Sequence, residues 1–173
     1  GLGNEVPFFI CPFPAEEGLT MIEDRLDLIE RIGHAGVTAL DLSLYDISLG
    51  LLEERGILED VLAAEPDMEK SELRELLQGV LDVHEHLIPK IAEAIAAQPH
   101  DVIFLSGVGE VYPYIRSHNV LNNLQSTAKD KPTVLFFPGS YTHSTATGGS
   151  LDLFGLLHDD KYYRAFNILN YEV

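Results

Sequence analysis

The chain has 173 residues, 46% of them apolar, enough for one domain with a core of its own, since a ~150-residue chain buries about 70% of the surface it exposes when unfolded. Its formal charge of −17, from 28 acidic and 11 basic residues, argues against direct DNA binding, because such a surface sets Lys and Arg against phosphates. The longest apolar runs, VIFL and TVLFF, fall far short of the ~20 residues that span a bilayer, and a single cysteine excludes an intrachain disulfide.

In chain order, PFFICPF (Pro7–Phe13) is a short aromatic run bounded by prolines and reads as a strand. Its Cys11 reads as a small buried hydrophobe in a protein of a reducing compartment. Next, TMIEDRLDLIERIG carries two apolar lines, Ile22, Leu26, Ile29 and Met21, Leu28, Ile32. That spacing predicts a helix, with Thr20 and Glu23 as a capping box and Gly33 at the end. VTALDLS (Val37–Ser43) is a second strand. Ser43 and Asp46 then cap LYDISLGLLEERG, which Gly56 terminates. ILEDVLAAEP is a short helix, and SELRELLQGVLDV shows a full apolar stripe of Leu73, Leu76, Leu77, Val80 and Leu81. Pro89 opens another helix. DVIFLS (Asp101–Ser106) is the third strand, and a helix follows within Pro113–Gln125. PTVLFFPG (Pro132–Gly139) is the fourth strand, SYTHSTATGGS a polar loop, LDLFGLL a short helix and YYRAFNILNY a last strand. Alternating strands and helices predict one α/β domain over residues 1–173, a mostly parallel sheet of about five strands with helices on both faces. This is a Rossmann- or P-loop-like three-layer fold without Walker motifs.

Ligands of such sheets sit beyond the carboxyl ends of the strands. The segment VIFLSGVGEVYPYIRSHNVLNNLQ places Ser106, Gly107 and Gly109 there, a strand and glycine turn ahead of a helix, and so a candidate ligand turn. It has no Lys or Ser/Thr behind the glycines, and Glu110 sets a negative charge beside any phosphate. Glu110 suits a helix N-terminus better. Asp41, an acid inside an apolar strand, is a functional candidate or a partner for backbone amides. Ser140 and His143 form no recognisable triad, and HEH at His84–His86 lacks metal-chelating spacing. No metal, cofactor or catalytic residue is assigned. A polar block is richer than local structure demands: Tyr112, Arg116, His118 and Asn122, with Tyr141, Tyr163 and Arg164 further on. Tyr and Arg build specific contacts, so the block is a partner-binding surface or a structural network. Tyr112, Arg116 and His118 are expected near FPGSY and YYRAF, fixing one end of the sheet.

GLGNEVPFFI, LSLYDISLGLLEERG, FLSGVGEVYPYIRSHNVLNNLQ, KPTVLFFPGSY and LDLFGLLHDDKYYRAFNIL together resemble the BrxB family, a small component of bacteriophage exclusion (BREX) defence systems. The resemblance runs in order over nearly the whole chain, with GVGEVYPYIRSHNVLNNLQ its most specific block. It implies a prokaryotic cytoplasmic protein acting beside other BREX proteins, among them a PglZ-type phosphatase-like protein, a large ATPase and a DNA methyltransferase. It carries no established catalytic residues. It also implies a further N-terminal segment, in keeping with a chain that begins at Gly1. The leading expectation is a non-enzymatic adaptor that binds another BREX protein, with a homodimer as an oligomeric option. The alternative is a degenerate nucleotide- or phosphate-binding domain, and a cryptic hydrolase using Asp41, Asp46, Ser140 or His143 ranks last.

Overall fold

The computed structural model describes residues 8–144, 148–161 and 164–172. Five parallel strands form its spine in the order β2 (Ala39–Ser43), β3 (Val102–Ser106), β4 (Thr133–Ser144), β1 (Phe8–Phe13), β7 (Ala165–Asn167). Helix α1 (Gly18–His34) joins β1 to β2. Helices α2 (Leu44–Glu54), α3 (Leu58–Ala64), α4 (Lys70–Val80) and α5 (Ile88–Ala97) join β2 to β3, and α6 (Ser117–Leu124) leads to β4.

Alternation along the strands decides which residues meet which layer. Phe8, Ile10, Leu40, Leu42, Ile103, Leu105, Leu135 and Phe137 point to one face, where they pack with Leu51, Leu52, Ile91, Val120, Leu121 and Leu124 from the helices. The residues between them, Phe9, Cys11, Phe13, Phe104, Val134 and Phe136, point to the other face. Of the described α-helices, only α1 contributes to that second cluster, through Met21, Ile29 and Ile32. The two layers are therefore unequal. On the first face α2, α5 and α6 bury whole side chains, whereas no residue of α1 is fully buried.

Local chemistry explains most boundaries. Ser43 Oγ accepts the Asp46 N–H at 3.2 Å and caps α2, as the sequence predicts. Gly56 follows α2 with φ +68°, a conformation that suits glycine. Pro89 lies in the first turn of α5. At α4 the cap is a carboxylate: Glu69 and Glu72 make a reciprocal capping box, and the Glu69 N–H donates to Glu72 Oε2 at 3.0 Å.

Several expectations are corrected. The Thr20–Glu23 box is not used. A short turn at Ala15–Glu17 leads straight into α1 at Gly18, so Thr20 lies inside the helix. Gly33 also lies inside α1, and Gly36, at φ +85°, makes the exit instead. The described parts of the segment read as a polar loop are strand: β4 runs on through Ser144 and pairs antiparallel with β5 (Gly148–Leu153). LDLFGLL is not helical, because Leu151 and Leu153 alternate inward along β5. The chain then turns at Phe154–Gly155 into β6 (Leu157–Lys161). Among the described residues the five parallel strands are present as expected, and this hairpin adds two more to the sheet.

Candidate functional site

The site grows from the ends of three strands. β1 ends in Phe13, β3 in Ser106, and β4 passes Phe136 and Pro138. With the start of α1, the 106–110 turn and Phe154 of the hairpin they enclose a cavity of about 420 Å³. Its position follows the rule for open parallel sheets, because connections after β1 and β3 leave for opposite faces and open a crevice between them. The candidate turn residues Ser106, Gly107 and Gly109 all line it.

The turn is shaped by close packing. Gly107 has φ +81°, and a Cβ there would stand 2.9 Å from the Tyr45 backbone nitrogen and 3.1 Å from Ser43 Oγ. The glycine thus lets β3 exit against the first turn of α2. A Cβ on Gly109 would stand 3.1 Å from the Phe154 ring. The residues after Gly109 form turns, and α6 begins only at Ser117. The strand–glycine–helix geometry of a phosphate cradle is therefore absent, and exposed Glu110 does not cap a helix. The strand–loop–helix junction lies instead at β1–α1, where a P-loop carries Gly, Lys and Ser/Thr. This chain places Glu16 and Glu17 there.

The electrostatics oppose an anion. Glu16 and Glu110 line the cavity, and its one lining cation among the described residues is Arg25. Arg25 Nε pairs with Asp41 Oδ1 at 3.1 Å, which ties α1 to β2. Asp41, the acid singled out in the strand, is thus a partner for Arg25. The remaining wall is apolar, including Phe13, Leu19, Ile22, Phe136 and Phe154. Tyr114 stands beside this turn, its hydroxyl donating to the Glu110 carbonyl at 3.2 Å. Burial, with Tyr45 and Glu110 adding negative charge, holds its phenol above the ordinary range.

Among the described residues, the contacts of the polar block fall in two places. Half-buried Tyr112 meets Phe154 edge-on, with ring centroids 6.4 Å apart, beside the cavity. Arg116 takes the extended cap position before α6, His118 is half-buried in its first turn and Asn122 is exposed. The second place lies at the far end of α6. Buried Tyr141 donates its hydroxyl to the Ala165 carbonyl at 2.8 Å, and Asn167 Nδ2 donates to the Tyr141 carbonyl at 3.3 Å. Arg164 donates to Gln125 Oε1 at 2.9 Å. Tyr163 lies outside the described residues. FPGSY meets YYRAF through Tyr141 and the Ala165 carbonyl, and its Pro138 lies beside Gly109 of the turn.

Ser140 and His143 are three residues apart on β4, so their side chains leave opposite faces. Asp46 is exposed at the start of α2. Among the described residues no group of three or more His, Cys, Asp or Glu is placed to hold a metal, and no helix is long and apolar enough to cross a membrane.

What the sequence reading missed is the exposure of α1. Leu19, Ile22 and Leu26 are 83%, 43% and 52% exposed. The signal was present, since α1 has two apolar lines where one suffices to dock a helix. The sheet takes Met21 and Ile32 from one line and Ile29 from the other, and Leu28 is left exposed.

The molecule is thus a mostly parallel α/β domain whose site is an apolar crevice with an acidic rim. The chain matches the family described as BREX protein BrxB over residues 40–168. A BREX protein BrxB of Bacillus cereus (strain H3081.97) is 34% identical over 174 residues, covering 98% of this chain and 87% of that protein. A second, from Escherichia coli O9:H4 (strain HS), is 28% identical over 169 residues, covering 98% and 81%. No solved structure gives a significant match. The chain belongs to the BrxB family, and so is a component of a BREX system.

Proposed function

We propose that this chain is a non-enzymatic adaptor of its BREX system, one that holds another protein of that system, the PglZ-type phosphatase-like component first. The supporting observation is the face around the cavity. Leu19, Ile22 and Leu26 on α1 and Phe154 and Leu156 on the hairpin turn, the last 76% exposed, present apolar surface. Monomeric proteins seldom leave such side chains clustered beside a cavity without a partner to cover them. Among the described residues that line the cavity, Ser106 is the one hydroxyl, with no His or Lys in the lining to serve as its base. Co-expression of the full-length protein with each BREX neighbour, singly and together, tests the reading. A stable complex with the PglZ-type protein is expected; failure to associate in every combination overturns it.

A second reading, a degenerate nucleotide- or phosphate-binding domain, is favoured by the position of the cavity at the strand ends. Glu16, Glu17 and Glu110 weigh against it. A thermal-shift titration with nucleotide and Mg²⁺ at millimolar concentration decides, because ligand at 100 times Kd adds about 2.7 kcal/mol of stability.

A further inference from the structure

We infer that the outer face of α1 is one half of a two-helix seam, whose other half is a basic amphipathic helix on a different protein. The inference rests on the adaptor reading and specifies the chemistry of its partner.

The seam is written in α1 as a heptad. Leu19, Ile22 and Leu26 follow one another at spacings of three and four, an outward apolar ridge one heptad long, while Ile29 packs toward the sheet. A ridge with that spacing is one along which a second helix packs. The next position after each Ile is Glu23 and then Glu30, both exposed. In paired helices that flanking position selects the partner by charge. In an amphipathic helix docked only on a sheet, the outer side is polar. In α1 the inward line already serves the sheet through Met21, Ile29 and Ile32. The outer line is left with three exposed apolar side chains and a regular pair of acids beside it.

A second copy of this chain does not complete the seam. In antiparallel pairing Glu23 and Glu30 face their own counterparts, like charge against like charge. In parallel pairing Glu30 faces the position of Arg25, which Asp41 already holds, and Glu23 that of Gly18. A net charge of −17 on each copy adds to the repulsion. A helix with Leu or Ile along its seam and Lys or Arg opposite the two glutamates satisfies both features. One heptad is short for a stable pair, and the cavity supplies the rest. Leu19 and Ile22 form part of its wall, so a large apolar side chain from the partner helix can lodge between them and Phe154.

The test uses the full-length protein and two synthetic helical peptides with the same Leu/Ile heptads. One peptide carries Lys and the other Glu opposite positions 23 and 30. Binding is followed by titration calorimetry, with circular dichroism to confirm that each variant is folded; all substituted side chains are exposed, so folding is expected to survive. The Lys peptide is expected to bind, the Glu peptide at least tenfold more weakly. Glu23→Lys with Glu30→Lys should reverse that preference, and Leu26→Arg should abolish both. Equal binding of the two peptides, or none, overturns the inference. So does a native dimer that Leu26→Arg dissolves, since the occupant is then a second copy. A complex with a BREX neighbour that survives all three substitutions overturns the inference and leaves the adaptor reading standing. Selective Lys-peptide binding with no BREX neighbour held removes the adaptor reading and leaves the seam.

Discussion

Two glycines with nearly the same backbone separate strain from close packing. Gly36 has φ +85° and Gly107 has φ +81°. Placing Ala at either forces an L-residue into the left-handed region, at about 1–2 kcal/mol. At Gly36 nothing lies within 4 Å of the new Cβ, so Gly36→Ala is expected to cost only that. At Gly107 the Cβ meets the Tyr45 and Leu44 backbone nitrogens at 2.9 and 3.1 Å. These belong to the capped first turn of α2 and cannot move aside as a flexible side chain would. Overpacking of this kind adds about 1–3 kcal/mol, so Gly107→Ala should cost about 2–5 kcal/mol in all. Urea denaturation of both variants reads the difference as a shift in midpoint at unchanged m. Equal losses would refute the claim that the turn is built for contact with α2. A large loss on adding phosphate-binding assays, with none in stability, would restore the ligand-turn reading.

Three further outcomes are expected. Phe137→Ala, at a fully buried position on the thickly covered face, should cost about 3–5 kcal/mol, while Leu19→Ala on the outer face of α1 should stay within about 0.5 kcal/mol; comparable losses in denaturant would mean that α1 is packed on both sides. Tyr141→Phe removes the donor to the Ala165 carbonyl and should cost about 1–2 kcal/mol, with faster amide exchange in β7 as its local signature; an unchanged midpoint and exchange rate would show that this bond does not hold β7. Burial raises the Cys11 thiol pKa from its ordinary value near 9. The unfolded thiol ionises first, so stability attributable to Cys11 is complete below that value and declines as pH rises beyond it. Comparison of the native chain with Cys11→Ser across pH 8–10 checks the sign, and a native stability that gains on Cys11→Ser with rising pH contradicts it.

The parallel spine was legible because its strands are apolar runs and its helices carry caps with local causes. Ser43 is an example: the hydroxyl three residues before the Asp46 amide is visible in the sequence and is found bonded. The hairpin was hidden by composition. Thr, Ser, Gly and His between 140 and 150 read as loop, yet strand pairing with β4 needs only backbone, and Leu151 and Leu153 supply the inward side chains. Thr20 failed as a cap because the Ala15–Glu17 turn satisfies the start of α1 earlier. At the site, the identity of the SGVG turn residues was legible but their purpose was not. Whether a glycine admits a ligand or a neighbouring backbone depends on Tyr45, sixty-two residues away in sequence. The seam on α1 was half legible: its two apolar lines could be counted, but which members of each meet the sheet is a tertiary fact.

Hydrogen–deuterium exchange of the full-length protein, free and in complex with the BREX partner that co-purifies with it, tests the central claim most directly. Slowed exchange on complex formation is predicted along Gly18–His34 and in the turn after Ser106. Protection confined to the opposite sheet edge, where Phe166 and Tyr171 are exposed, with α1 unchanged, would contradict the account.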